Sequence, residues 1–202
     1  MRPKVLAVTG GIGSGKSTVA RQLARACEAE YLDLDLVCRE LLQPGGKGLH
    51  ALCQVFGARF LDMEKRLDRK KLRQALFTDA RLRARVDGLL HPLAAAVAEE
   101  KLEKSPRAMA VADVPLLFEA GWEKMADLII VVWAPEAERI RRIVSRDQVT
   151  PEQARAALAA QMSLEEKMRL ADYRLDNSGS HESTRQQVNT LAKRLLAGEF
   201  FT

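Results

Sequence analysis

The chain has 202 residues, of which 47% are hydrophobic and 29% charged, proportions that exclude disordered, collagen-like and membrane-embedded proteins. A chain of this length favours one main core with room for a smaller insertion. The formal net charge is +5, so the surface favours anionic ligands, and both nucleic acid and phosphorylated metabolites stay open.

The cysteines and the apolar runs indicate the cellular compartment of the protein. Cys27, Cys38 and Cys53 are widely spaced and form no CxxC pair of the kind found in zinc sites. Too few apolar residues precede Thr9 for the core of a signal peptide. No later run approaches the ~18 apolar residues that a membrane helix needs. We therefore expect a reduced, cytoplasmic protein that does not enter a membrane.

Short apolar runs alternate with helical patterns along the chain. These runs are Val5–Val8, Tyr31–Leu32, Ala108–Val114 and Leu128–Trp133, and Tyr173–Leu175 is the candidate for a fifth, shorter strand. Continuous apolar runs are typical of parallel strands that are buried on both faces. The sequence therefore predicts an α/β fold with a parallel five-stranded sheet, flanked by helices that form right-handed crossovers.

The spacing of the runs also predicts how the chain is divided. Residues 35–104 are too many for one crossover, and they suggest a helical insertion broken at Pro44–Gly46, at Gly57 and at Pro92. Capping boxes at Thr150–Gln153 and Ser163–Glu166 predict short helices within residues 136–171. The remaining segments, 1–34, 105–135 and 172–202, form the predicted nucleotide-binding core.

The segment after the first apolar run matches the phosphate-loop pattern G-x-x-x-x-G-K-S/T. Its residues are Gly10, Gly11, Ile12, Gly13, Ser14, Gly15, Lys16 and Ser17. Glycines let successive backbone N–H groups converge on an anion, and a helix beginning near Lys16 adds its positive dipole end. We expect Lys16 to reach the β- and γ-phosphates of a nucleotide, Ser17 to join the Mg²⁺ shell, and Thr18 to lie nearer the α-phosphate.

Carboxylates at strand ends narrow the class of nucleotide-binding protein. The guanine-reading sequence Asn-Lys-x-Asp of regulatory GTPases is absent. Asp33 and Asp35 follow the second run, where a carboxylate can accept the proton of an attacking hydroxyl or, alternatively, cap the next helix. Asp113 directly follows the apolar residues Ala108–Ala112 of the third run, where it would lie near a bound metal or serve as an ordinary turn residue. These positions favour a kinase.

Two basic groups leave alternatives open. Arg139, Arg142 and Arg146 would share one helix face, which either closes over ATP or is simply solvated. Nine basic residues between Lys65 and Arg85 are accompanied by a single aromatic residue, whereas single-stranded nucleic acid is bound on several aromatic platforms. We expect mainly helix surface there. Another metabolite kinase and an RNA-associated ATP-binding module are the alternative functions.

Short motifs also occur in a fixed order along nearly the whole chain. They are Thr9–Thr18, Asp33–Asp35, Leu41–Gly45, Val55–Gly57, His91–Pro92, Asp113–Glu119, Arg142 with Arg146–Asp147, Gln161–Met162, Ala171–Tyr173 and Asp176–Gly179. The series resembles the dephospho-CoA kinase family, whose members phosphorylate the ribose 3′-hydroxyl of dephospho-CoA in the last step of CoA synthesis. In two places the pattern differs: Glu64–Lys65–Arg66 stands where the family commonly has an Asp-Gly turn before Leu-Asp-Arg or Ile-Asp-Arg, and Ala157 stands where many relatives have arginine, four residues before Gln161.

The resemblance implies a phosphate-loop NTPase fold with a helical CoA-binding subdomain over residues 35–104 and a helical lid over 136–171. It implies that Asp33 is the general base, Lys16 the phosphate clamp and Arg142 the lid cation. Arg146 and Asn177 are predicted to contact ATP, and Ser17 and Asp113 to hold Mg²⁺. The expected partners are ATP and dephospho-CoA, without nucleic acid or membrane, and we expect a monomer, with weak oligomerisation left open. His91 either holds a helix junction before Pro92 or contacts the substrate.

Overall fold

A computed structural model describes residues 2–201, except for the side chain of Phe77. The strands are β1 (Lys4–Gly10), β2 (Glu30–Asp33), β3 (Met109–Asp113), β4 (Leu128–Trp133) and β5 (Tyr173–Asp176). The α-helices are α1 (Lys16–Ala26), α2 (Leu34–Leu41), α3 (Lys47–Phe56), α4 (Arg69–Thr78), α5 (Ala80–Glu103), α6 (Glu136–Asp147), α7 (Pro151–Ala159), α8 (Leu164–Arg169) and α9 (His181–Leu196). The chain forms two compact units: the first runs up to Asp33 and resumes at Leu102, and the second is Leu34–Lys101.

The first unit is built on a parallel sheet with strand order β2-β3-β1-β4-β5. This confirms the predicted fold class and the five strands. β1 lies at the centre, and every residue from Val5 to Gly10 is buried, which explains why Val5–Val8 is a continuous apolar run. Leu23 of α1 and Leu191 of α9 are buried in the same apolar cluster as Leu6 and Val8. All five strands end at one edge of the sheet, where ligands of open α/β folds collect.

Two of the helices after β4 begin at the predicted capping boxes. The Thr150 hydroxyl accepts a hydrogen bond from Gln153 N at 3.3 Å, and the side-chain oxygen of Gln153 accepts one from Thr150 N at 2.9 Å. Ser163 and Glu166 make the same reciprocal pair at the start of α8. Both helix starts predicted from the sequence are confirmed.

The second unit is helical, and one predicted helix break in it is wrong. Gly57 ends α3 with a φ of +60°, as expected of a breaker, but Pro92 lies inside α5. A proline inside a helix costs about 3 kcal/mol. The buried stripe of Val86, Ala94 and Ala98 continues in phase across it, so packing on both sides offsets that cost. There is no helix junction for His91 to hold, and its Nε2 lies 3.9 Å from Asp87 Oδ1 one turn earlier.

The second unit has its own apolar centre and a basic surface. Leu52, Phe60 and Val86 are among the residues buried together at that centre. All nine basic side chains between Lys65 and Arg85 are exposed, as a helix surface requires. No helix within residues 2–201 is both long enough and apolar enough to cross a membrane.

Candidate active site

The phosphate loop connects the central strand to the first helix. β1 ends at Gly10 and α1 begins at Lys16. Gly13 and Gly15 have φ values of +79° and +87°, a left-handed backbone that other residues adopt only with strain. A Cβ at Gly15 would also collide with the side-chain amide of Asn177. These two positions therefore need glycine, and the loop closes around the N-terminus of α1 as the sequence predicted.

Three side chains from distant parts of the chain hold this loop from outside. Asn177 donates from Nδ2 to Ser14 O at 2.7 Å, and Arg142 donates to Ser14 O at 3.3 Å and to Asn177 O at 2.9 Å. Gln161 accepts a hydrogen bond from Ile12 N at 3.0 Å. Asn177 is itself fixed, because its Oδ1 accepts a 2.7 Å hydrogen bond from Thr184. The loop is thus held by the residue that follows β5, by α6 and by the α7–α8 connection.

Lys16 and Asp113 form the innermost ion pair of the site. The Lys16 ammonium lies 2.7 Å from Asp113 Oδ1 and 3.3 Å from Ser17 Oγ. The Asp113 side chain is 2% exposed, and its second oxygen accepts a 3.1 Å hydrogen bond from the Tyr31 hydroxyl. Burial, together with the charges of Asp113 and Asp33, raises the pKa of Tyr31. Tyr31 therefore stays a neutral donor that orients the Asp113 carboxylate.

Asp33 ends β2 in register with Asp113 on β3, which in turn pairs with Val8 on β1. Neighbouring strands are about 4.8 Å apart, so Asp33 stands about 10 Å from the central strand, with the Lys16–Asp113 pair between them. Its side chain is 25% exposed, and Oδ2 lies 4.0 Å from the Arg21 guanidinium. Asp35 lies in the first turn of α2, where a carboxylate favours the helix dipole. Asp33 therefore lies at the end of a strand, whereas Asp35 lies at the start of a helix.

The arginines of α6 differ in their surroundings. Arg139 is buried. Arg142 is partly buried and pairs with Glu138 at 2.8 Å, while the largely exposed Arg146 pairs with Asp147 at 2.7 Å. Hydrogen bonds from Arg141 and Arg142 lower the pKa of Glu138 to about 2, so its charge persists at neutral pH. The helical spacing predicted that the three arginines share one face, but they differ in exposure: Arg139 is buried, Arg142 is partly buried and Arg146 is largely exposed.

Several contacts were not predicted from the sequence. Lys167 is fully buried, and its Nζ lies 2.8 Å from Glu119 Oε1 and 3.3 Å from Pro115 O. Glu119 also accepts from Met162 N, next to Gln161. A lysine in an exposed-looking helical stretch carries no signal of burial. By contrast, Tyr31 precedes Asp33 by two residues on a strand, so the period of two could have placed both side chains on one face.

The comparisons with known proteins cover nearly the whole chain. A family model described as dephospho-CoA kinase matches residues 4–183. The chain belongs to the dephospho-CoA kinase family. The Syntrophotalea carbinolica dephospho-CoA kinase is 39% identical over 197 residues, which is 96% of this chain and 93% of that protein.

Solved structures agree with membership of the dephospho-CoA kinase family. A Thermus thermophilus protein of known crystal structure is similar with a TM-score of 0.83 and 32% identity, over 96% of this chain and 99% of its own. The dephospho-CoA kinase from Campylobacter jejuni gives a TM-score of 0.68 and 26% identity, over 96% of this chain and 98% of its own. The family catalyses ATP-dependent phosphorylation of dephospho-CoA, the final step of CoA biosynthesis.

Proposed function

We propose that this chain transfers the γ-phosphoryl group of ATP to the ribose 3′-hydroxyl of dephospho-CoA, with Asp33 as the general base. The observation that carries the proposal is the register of Asp33 with Asp113 at the sheet edge where the phosphate loop begins. An ionised carboxylate there can accept a proton from an alcohol that faces the terminal phosphate.

The loop would hold the triphosphate by backbone N–H groups and by Lys16. In the present structure the Lys16 ammonium is engaged by Asp113, so phosphate oxygens would have to compete with that carboxylate. The competition favours the phosphates, because a triphosphate carries more negative charge than one carboxylate and also accepts hydrogen bonds from the loop N–H groups. Lys16 therefore acts as the phosphate clamp.

The oxygen atoms near Lys16 fit a magnesium ion. Mg²⁺ prefers oxygen ligands and is usually held by one or two protein groups together with substrate phosphates. Ser17 Oγ lies in the first turn of α1 and Asp113 ends β3, and the oxygens of both are within hydrogen-bond distance of the Lys16 ammonium. These two groups would hold the ion, which when bound offsets charge on the phosphates.

In the transfer step the Asp33 carboxylate accepts the proton of the 3′-hydroxyl. The hydroxyl oxygen forms a bond to the γ-phosphorus as the bond from that phosphorus to the bridging oxygen of ADP breaks. Positioning and charge stabilisation supply most of the catalysis in such reactions. Arg142 and Arg146 of α6 would stabilise the ADP side, and Asn177 would lie beside the nucleotide.

The remaining parts of the chain have assignments of the same kind. We assign residues 35–104 to the CoA-binding subdomain and residues 136–171 to the lid, as the family resemblance implies. Cytoplasmic location, a monomeric state and the absence of a nucleic-acid partner stay predictions from the sequence.

The test is the Asp33→Asn variant, assayed for ADP release that depends on dephospho-CoA. Loss of a general base lowers kcat by roughly 10² to 10⁴, while the KM for ATP should stay close to that of the unmodified enzyme. Glu30→Gln is the matched control, because it removes a carboxylate from the opposite end of the same strand, and its kcat should be unchanged. Full turnover by Asp33→Asn would exclude Asp33 as the base.

A further inference from the structure

Arg139 is a buried cation beside the phosphate loop. Only 8% of its surface is exposed, and its Nε is buried without a hydrogen-bond partner among residues 2–201. No carboxylate of the described residues lies within salt-bridge distance, although Glu136 and Glu165 act on its charge from farther away. Burial lowers the pKa of Arg139, as expected when a charge loses water. An arginine held in this way normally has a counterion.

The position of the side chain suggests where a counterion would come from. A Cβ added at Gly13 would meet the Arg139 backbone oxygen at 2.7 Å, and one added at Gly11 would collide with Nη1 of Arg139. The Arg139 side chain therefore runs along the loop from Gly13, which lies beside its backbone, to Gly11, which lies beside its guanidinium. The backbone N–H groups of the same few residues would bind the negative charge of a nucleotide triphosphate.

We infer that Arg139 raises the affinity of the phosphate loop for the triphosphate of ATP by its charge, acting through the loop backbone without touching the phosphates. It is a positioning residue rather than a catalytic one, and it also fixes Gly11 and Gly13 by close packing. This inference rests on the proposed nucleotide site. It explains why a buried arginine is kept without a protein partner: the attraction of a charge for an anion several ångströms away is strongest where water is excluded.

An alternative explanation is that Arg139 only fills space between α6 and the loop. The two explanations differ in the effect that Arg139→Met should have on the affinity for ATP. Replacing a buried cation that has no partner with an apolar side chain of similar length removes a desolvation cost, so Arg139→Met should melt at the same or a higher temperature without nucleotide. A space-filling role instead predicts no change in ATP affinity.

The experiment compares Arg139→Met, Arg139→Lys and the control Arg107→Met in the full chain. Arg107 is exposed and precedes β3, at the sheet edge opposite the loop, so its variant matches the change in net charge. We measure the KM for ATP, the KM for dephospho-CoA, and the melting temperature with and without ATP. The expected result for Arg139→Met is a KM for ATP raised about tenfold, an unchanged KM for dephospho-CoA, and a smaller ATP-induced rise in melting temperature.

Arg139→Lys keeps the charge and should stay within about twofold of the unmodified enzyme in its KM for ATP. The inference is overturned if Arg139→Met changes the KM for ATP no more than Arg107→Met does, or if Arg139→Lys loses as much affinity as Arg139→Met. Failure of the proposed function looks different: the unmodified chain would then form no product from dephospho-CoA, while ATP would still raise its melting temperature.

Discussion

The buried pair of Lys167 and Glu119 gives a prediction that can be worked out from the structure. Lys167 is fully buried, Glu119 is 23% exposed, and their charged atoms lie 2.8 Å apart. Removing one partner of a buried pair costs about 3–5 kcal/mol, because the other charge stays without compensation. Glu119 keeps some water and the hydrogen bond from Met162 N, so we expect Lys167→Met to lose about 3 kcal/mol of unfolding free energy. For a chain of this size the corresponding fall in Tm is about 6–12 °C.

The assay is urea denaturation, with tryptophan fluorescence as the signal of unfolding. Both tryptophans, Trp122 and Trp133, belong to the first unit, so the signal follows the unit that contains the pair. A double-mutant cycle with Glu119→Gln should give a coupling energy of at least about 1 kcal/mol. Lys193→Met, a change at an exposed lysine on α9, should stay within about 0.5 kcal/mol of the unmodified protein. A single variant that loses less than about 1 kcal/mol, or a coupling energy near zero, would refute the reasoning.

Two further predictions concern the backbone and a thiol. Lys65 has a φ of +59° in the turn after Asp62, so Lys65→Gly should raise the unfolding free energy by about 0.5–1 kcal/mol in urea denaturation, and no gain would show that the turn relaxes. Burial raises the pKa of the Cys27 thiol; since the thiolate is the reactive form, less of it is present at pH 8. A thiol reagent should therefore modify Cys38 and Cys53 of the folded protein before Cys27, and equal rates would contradict that order.

The parts of the fold that were predicted are those specified by neighbouring residues. The phosphate loop follows from glycines at fixed spacing between a strand and a helix, and the starts of α7 and α8 follow from Ser or Thr with Glu or Gln three residues later. β1, β3 and β4 were found because burial on both faces leaves a continuous apolar run. These signals are local, so a single sequence carries them.

The contacts that were missed depend on residues far apart in the chain. Lys16 and Asp113 are separated by 97 positions, and nothing near either residue shows that they pair. Pro92 was expected to end a helix because local cost argues for a break, whereas packing along α5 decides otherwise. The burial of Arg139 and Lys167 was invisible for the same reason: a charged residue on a helix usually faces water, and only the tertiary structure shows the exception.

The contact of Asn177 with Ser14 has a consequence for how the protein is made. The loop at positions 10–17 leaves the ribosome early, but its outer support comes from residue 177 and from Thr184 behind it. Likewise, central β1 pairs with β3 and β4, which are synthesised about 100 residues later. Nascent chains that stop before β5 therefore lack Asn177 and Thr184, which hold the phosphate loop. Tight nucleotide binding thus requires a nearly complete chain.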